Sequence, residues 1–146
     1  MTFPIAELDK MKKEDILAVN RILSAEYLKH HAPIVELVKA QTDDPFKILV
    51  ATILSARTKD ETTAFAVGKL FRAVKRLENL RKLPIKTLEK LIFPVGFYHT
   101  KARHLKLLPD AVDGKFGGKL PQTVEELCEL PGVGRKTANV VLNTAF

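Results

Sequence analysis

Residues 130–143 read LPGVGRKTANVVLN, a glycine-containing turn that leads directly into a helical pattern. Glycine permits a positive φ and leaves room for an anion to approach the backbone. The helix that follows offers unpaired N–H groups and the positive end of its dipole, and both favour a phosphate. We therefore predict that Gly132, Val133 and Gly134 bind a nucleic-acid phosphate, a contact that carries no base-sequence information.

Two cations, Arg135 and Lys136, open the helix after this turn. Cations in a first helical turn oppose the dipole at a cost of about 0.3–1 kcal/mol each. Sequences often break such local rules at functional sites, and a bound phosphate would remove the conflict. Arg135 therefore joins the predicted phosphate contacts. On these residues alone, an ordinary turn between two helices stays open as the alternative.

Capping patterns predict helices on the N-terminal side of this turn. Thr123 followed three residues later by Glu126 is a capping box, which indicates a helix over about 124–130. Thr58 with Glu61 has the same spacing and predicts a second capped helix. A helix, a glycine turn and a second helix thus follow one another at 123–146.

The helix that we expect at the centre of the fold follows Asp44, a good N-cap, with Pro45 at its first position. Over about 46–56 it leaves almost no polar face, as expected of a helix that is buried on all sides. Helical spacing of apolar residues predicts further helices over about 13–29, 34–40, 84–92 and 101–116. About eight helices and no strand follow, so we predict an all-α fold.

Composition limits the class of protein. The 146 residues are 46% hydrophobic, which excludes a disordered chain, and no apolar run is long enough to cross a bilayer. The first residues do not have the pattern of a secretory signal. A net charge of +7 favours a polyanionic partner, of which nucleic acid is the common example. The single cysteine excludes a disulfide framework within the chain and favours an intracellular location.

Three smaller expectations concern the end of the chain, its single cysteine and three of its histidines. The last helical pattern reaches Phe146 without a stop signal, so we expect the chain to be cut inside or just after a buried helix. Cys128 is predicted to be a small buried apolar residue. His30, His31 and His104 have no ligand-like grouping and are predicted to lie on the surface, so no metal site is expected in this chain.

The turn motif, together with residues 54–60 (LSARTKD) and 94–102 (PVGFYHTKA), resembles the endonuclease III family of helix-hairpin-helix DNA glycosylases. The resemblance implies a six-helix core over 44–146, with the helix-hairpin-helix at 123–146. We expect residues 1–43 to form a separate N-terminal helical segment, which no motif places.

The resemblance also implies roles for single residues. Lys136 is the catalytic lysine, whose amine attacks the sugar C1′ of a damaged nucleotide and then allows β-elimination through a Schiff base. Arg57 lies where the family inserts a polar residue into the space left by a flipped base, unless it only complements a helix C-terminus by its charge. Phe97 is suited to act as a wedge between bases, with a loop plug as its alternative. His99 and Lys101 are predicted to contact phosphate.

The family pairs its lysine with an aspartate beyond the hairpin and carries four C-terminal cysteines that hold a [4Fe–4S] cluster. Neither lies in this sequence, so we expect no cofactor in the chain, a cluster in the full-length protein, and weak binding and poor catalysis by the fragment.

In the complete protein, the expected activity is removal of oxidised pyrimidines with associated AP lyase cleavage. The expected partner is double-stranded DNA with a damaged base or an abasic site. We expect the protein to act as a monomer and not to bind a membrane. Three alternatives stay open: a non-catalytic DNA-binding module in which Lys136 is only a contact, a glycosylase for mismatched or alkylated bases, and a helical protein-interaction domain.

Overall fold

The computed structural model describes residues 12–27, 29 and 33–146. The chain divides into two compact units, residues 1–32 and residues 33–146. In the first unit, helix α1 spans Lys13–Tyr27, close to the bounds predicted for it. His30 and His31 lie outside the described residues.

Eight helices are described in the second unit. They are α2 (Ile34–Gln41), α3 (Pro45–Ser55), α4 (Asp60–Ala73), α5 (Asn79–Lys82), α6 (Ile85–Ile92), α7 (Tyr98–Phe116), α8 (Val124–Leu127) and α9 (Arg135–Ala145). The described residues contain no strand, in agreement with the predicted all-α class. Nine described helices exceed the eight expected because α5, with only four residues, is too short to show a helical period.

Helix α3 forms the centre of the second unit. Its N-cap is Asp44, whose Oδ1 accepts a hydrogen bond from Phe46 N at 3.0 Å, with Pro45 at the first helical position, as predicted. All seven residues from Ile48 to Leu54 are buried. Helices α2, α4, α7 and α9 all pack against α3, which explains why its sequence has almost no polar face.

The two predicted capping boxes have different outcomes. Thr123 Oγ1 accepts a hydrogen bond from Glu126 N at 3.3 Å and caps α8, as predicted. The box at Thr58 is wrong, because α4 begins two residues later without a side-chain cap. Thr58 Oγ1 instead accepts hydrogen bonds from Gly96 N at 3.0 Å and Lys101 Nζ at 3.2 Å. Partners that are distant in sequence have displaced the local cap.

The structure also differs from the sequence predictions at Cys128 and at α2. Cys128 is exposed rather than buried, because α8 ends at Leu127 and Cys128 does not continue its buried face. Helix α2, assigned from sequence to the N-terminal segment, packs against α3 within the second unit; the division into domains at residue 43 stays a prediction. No helix in the described part of the chain has the length and hydropathy of a membrane span.

Candidate nucleic-acid interface

The turn between α8 and α9 exposes both of its glycines. Gly132 has φ +79°, a backbone conformation that favours glycine, as the sequence predicted. Gly134 has φ −98°, and a Cβ added there would meet nothing within 4 Å, so its backbone is open to an approaching anion. Between them Val133 is only 7% exposed, and its amide donates to Leu130 O at 3.2 Å. The structure therefore speaks against the predicted phosphate contact by Val133, which anchors the turn to the core.

Arg135 and Lys136 form the start of α9, and both are exposed. This helix has no side-chain cap, and an early hydrogen bond runs from Ala138 N to Gly134 O at 2.9 Å. The amides of the first turn therefore have no partner within the helix. Among the described residues, no hydrogen bond or ion pair occupies the side chain of either cation. Two cations and several amides are thus available to one anionic ligand.

Two loops meet where α7 begins. The loop 56–59 follows α3, and the loop 93–97 precedes α7; we call them together the two-loop tip. Arg57 and Phe97 both have left-handed backbones, with φ of 54° and 56°. The guanidinium carbon of Arg57 lies 5.0 Å from the centroid of the Phe97 ring. A left-handed conformation costs a residue with a side chain about 1–2 kcal/mol, and such strain concentrates at functional sites.

Gly96 allows the two loops to approach each other. A Cβ on Gly96 would lie 2.6 Å from the backbone oxygen of Arg57, so any larger residue would push the loops apart. Phe97 is 61% exposed, which is inconsistent with a plug packed on the core. Arg57 is exposed as well, so the aromatic ring and the guanidinium project into solvent side by side.

Lys101 lies beneath this tip and is only 7% exposed. Its Nζ donates to Leu54 O at 2.8 Å, Ala56 O at 2.6 Å and Thr58 Oγ1 at 3.2 Å. Burial lowers the pKa of Lys101 to about 8. The ammonium therefore satisfies carbonyl groups at the C-terminal end of α3. The predicted phosphate contact by Lys101 is wrong, because its three donors are already engaged inside the protein.

His99 is exposed near the same helix end. Its Nδ1 lies 2.8 Å from Glu89 Oε1, and its ring lies 4.0 Å from the ring of Tyr98, centroid to centroid. The hydrogen bond with His99 lowers the pKa of the Glu89 carboxyl. Because 55% of the His99 side chain is exposed, its predicted phosphate contact is sterically open and stays a prediction.

Helix α7 links the hairpin turn to the two-loop tip. Lys101 and His104 are three residues apart and so share one face of the helix, separated by about 4.5 Å along its axis. Lys101 bonds to the loop that carries Arg57, whereas His104 packs against the turn, since a Cβ at Gly132 would lie 2.7 Å from His104 Nδ1. The turn and the tip therefore lie against the same side of α7. His104, predicted to lie on the surface, is half-buried by this contact.

The comparisons with known proteins agree with this geometry. Residues 50–141, more than half of the chain, match the HhH-GPD superfamily of base excision DNA repair proteins. The chain belongs to this superfamily. It is similar to endonuclease III of Thermotoga maritima, at 44% identity over 70% of this chain and 48% of that protein. Endonuclease III of Bacillus subtilis is 39% identical over 70% of this chain and 47% of its own length. The chain thus spans about half the length of these two curated relatives.

Solved structures confirm the helix-hairpin-helix glycosylase fold. A trapped covalent intermediate of endonuclease III with DNA, an estranged-adenine complex, superimposes with a TM-score of 0.80 at 33% identity. It covers 93% of this chain and 61% of the neighbour. A thermostable thymine-DNA glycosylase superimposes with a TM-score of 0.75 at 29% identity, over 89% of this chain and 58% of that chain. The expected membership in the endonuclease III family is confirmed.

The chain does not itself fit an iron–sulfur cluster. A [4Fe–4S] cluster is held by four thiolates, and the 146 residues contain Cys128 alone. Within the described residues, no group of three or more His, Cys, Asp or Glu side chains is arranged to hold a metal ion.

Proposed function

We propose that this protein is a DNA glycosylase with associated AP lyase activity, which removes oxidised pyrimidines from double-stranded DNA and cleaves the strand at the abasic site. The observation that carries the proposal is the position of Lys136. Its amine is exposed in the first turn of α9, directly after the glycine turn, and without a protein partner in the described chain. Membership in a base excision repair superfamily supports this chemistry.

The hairpin binds the DNA backbone. Amides at Gly134 and at the first turn of α9 face a phosphate, and Arg135 adds a charge-assisted hydrogen bond. Because these contacts go to the backbone, they hold any sequence in the same position relative to Lys136. The net charge of +7 adds long-range attraction for the duplex.

The amine of Lys136, when neutral, attacks C1′ of the flipped nucleotide. The C1′–N bond to the base breaks, and the base leaves with the bonding electron pair and takes up a proton. The C1′–O4′ bond then opens, O4′ takes up one of the two protons of the attached amine, and a protonated imine links Lys136 to the sugar. Removal of a C2′ proton then breaks the C3′–O bond and cleaves the strand on the 3′ side. Water hydrolyses the imine and releases the lysine.

The two-loop tip would stabilise the opened duplex. A nucleotide turned out of the stack leaves a gap, and filling the gap offsets the lost stacking. Phe97 can stack between bases, and the Arg57 guanidinium can both stack and donate hydrogen bonds to an unpaired base. Their exposure and strained backbones support this role.

Borohydride trapping tests the proposal. Borohydride reduces the imine to a stable secondary amine, so the full-length protein should form a covalent adduct with a duplex that contains an abasic site. Lys136→Ala should lose the adduct. Equal trapping by the variant would show that Lys136 is not the residue that forms the imine. A different outcome would identify a non-catalytic DNA-binding module. Neither protein would form an adduct, while the logarithm of the binding constant would fall with the logarithm of the salt concentration by a slope of about −0.9 per phosphate contact.

A glycosylase for mismatched bases is the second candidate, favoured by the structural match to a thymine-DNA glycosylase. The two candidates differ in substrate. Single-turnover base release distinguishes them. The substrates are duplexes of otherwise identical sequence that carry an oxidised pyrimidine, an alkylated base or a T·G mismatch. Fastest release of the oxidised pyrimidine supports the first proposal, and fastest release of the mismatched thymine supports the second.

We also propose an intracellular location, because the substrate is genomic DNA, and a [4Fe–4S] cluster in the complete protein. The cluster would need cysteines that this sequence does not contain. Analysis of iron and labile sulfide in the full-length protein tests it, with four of each per chain as the expected result.

A further inference from the structure

Lys101 is a buried cation that the proposed reaction does not use. It is 7% exposed and makes three hydrogen bonds, to two backbone carbonyls and one hydroxyl. An ammonium has three N–H donors, and burying it is costly unless each donor finds an acceptor. Here every donor is satisfied, so the position is built for a charged lysine rather than for an apolar side chain.

The three acceptors lie on both sides of Arg57. Leu54 O and Ala56 O precede it, and Thr58 Oγ1 follows it. Bonds on both sides fix the direction in which the chain passes through Arg57, whose left-handed backbone would otherwise relax to a commoner conformation.

The same network extends to the second loop. Thr58 Oγ1, which accepts from Lys101, also accepts from Gly96 N at 3.0 Å. Gly96 directly precedes Phe97, and its backbone lies against Arg57 O. One buried ammonium is therefore connected, through a single hydroxyl, to the backbone at both exposed side chains of the two-loop tip.

We infer that Lys101 is a positioning residue for lesion recognition, whose ammonium holds Arg57 and Phe97 side by side so that they enter the gap of an opened duplex as one unit. The inference rests on the proposed function. Holding the pair in place before DNA binds removes the ordering cost that two mobile loops would pay on insertion.

Helix α7 contains a matched control lysine. Lys106 Nζ also donates to backbone carbonyls, those of Arg81 and Leu83, the latter at 2.6 Å. These carbonyls lie at the end of α5, away from the two-loop tip. Lys101→Met and Lys106→Met therefore remove the same group from the same helix, but only Lys101→Met releases the tip.

The measured quantity is the ratio of two dissociation constants of the full-length protein, at one salt concentration and pH 7. One is for an intact duplex, and the other is for the same duplex with one stable abasic-site analogue. We expect Lys101→Met to lower this preference about tenfold or more, as misplaced contacts do. Binding to the intact duplex, which depends on the hairpin, should stay within about twofold. Lys106→Met should leave the preference unchanged.

A double-mutant cycle separates positioning from a general structural role. In the background Arg57→Ala with Phe97→Ala, Lys101→Met should lower the preference no further, because the side chains through which it acts are gone. Should Lys101→Met fail to fold, Thr58→Ala removes the shared hydroxyl and should lower the preference, while Thr58→Ser keeps the hydroxyl and should restore it.

Retention of the preference within about twofold in folded Lys101→Met would overturn the inference. An equal loss in Lys106→Met, or a further loss in the double-mutant background, would overturn it as well. Borohydride trapping by the wild-type protein is run in parallel. If the wild-type protein forms the covalent adduct but Lys101→Met keeps the same preference for the abasic duplex, the inference fails and the proposed function stands. If it neither traps nor prefers the abasic duplex, the proposed function fails first.

Discussion

The hairpin and the two-loop tip are two surfaces supported by the same helix, α7, and they offer different chemistry. The hairpin offers amides, Arg135 and the Lys136 amine, all of which suit a phosphate and a sugar carbon. The two-loop tip offers an aromatic ring with a guanidinium 5.0 Å from its centroid, which suits exposed bases. In the proposed function, the first surface binds any duplex, whereas the second acts only where the duplex is opened.

The two surfaces also store strain differently. The hairpin places a glycine where a positive φ is needed, so its turn forms at little cost. The two-loop tip places Arg57 and Phe97 in the same left-handed region and depends on Lys101, Thr58 and Gly96 to keep them there. Mutations in the hairpin should therefore affect chemistry and general binding, and mutations in the tip should affect the preference for damaged DNA.

The largest effect should come from Lys136→Gln. Without the amine no imine can form, so we expect base release and strand cleavage by the full-length protein to fall by at least about a thousandfold. Affinity for duplex DNA should change only a few-fold, because the amides and Arg135 remain. Lys119→Gln, which removes the same charge from an exposed loop, is the control. Single-turnover cleavage assays check the prediction, and a variant that keeps a tenth of the activity would contradict it.

Gly132→Ala should have the next largest effect. The left-handed backbone costs alanine about 1–2 kcal/mol, and its Cβ would also collide with His104. We expect a lower Tm and weaker binding to intact and abasic duplexes alike, since the turn serves both. Gly114→Ala in α7 is the control, because a Cβ there meets nothing within 4 Å, and it should stabilise the protein by up to about 1 kcal/mol. Loss of binding to the abasic duplex alone would contradict this division.

Phe97→Gly should separate stability from recognition. Glycine relieves the left-handed backbone strain in the folded state, but it also raises the conformational entropy of the unfolded chain. These effects oppose each other, so the free energy of unfolding should stay within about 1 kcal/mol of the wild type. The preference for the abasic duplex should fall about tenfold, the size of a lost stacking contact. Phe65→Ala, which removes a similarly exposed ring from α4, should leave the preference intact. An unchanged preference in Phe97→Gly would show that the tip does not enter the gap.

The hairpin could be predicted from the sequence because its signals are local. A capping box, two glycines and two cations lie within about a dozen residues of one another, and they mark where α8 and α9 begin. The central helix was predictable for the same reason, since Asp44, Pro45 and an apolar run are contiguous. The central helix and α9 form close to their predicted bounds, at Pro45–Ser55 and Arg135–Ala145, whereas α8 ends at Leu127, short of its predicted end at about residue 130.

The two-loop tip could be predicted only in part. The sequence identifies Arg57 and Phe97 by resemblance and local loop context, but it predicts a phosphate contact for Lys101 and a helix cap for Thr58. Their real partners are 38 to 47 residues away in sequence, and no local pattern records such contacts. The helical spacing of Lys101 and His104 was the one available signal, since it places both on one face of α7. It could not reveal which loops that face would meet.

The smallest expected effect concerns pH: the free energy of unfolding and the preference for the abasic duplex should respond to pH with opposite signs. Burial lowers the pKa of Lys101 to about 8, below its ordinary value of 10.5. Between these two values the unfolded chain binds more protons at this residue than the folded chain does. The free energy of unfolding should therefore rise with pH from about 8 to 10.5, relative to Lys101→Met, in which this contribution is missing.

Recognition should change in the other direction over the lower part of that range. A neutral Lys101 amine has only two N–H donors for its three acceptors, so one tie to the two-loop tip is lost as pH rises through about 8. The preference for the abasic duplex should then decline, while binding to the intact duplex through the hairpin follows the same pH course in wild type and Lys101→Met. Denaturant titrations and affinity measurements at matched pH values check both trends. If stability and preference rise together, the ammonium cannot be what holds the tip.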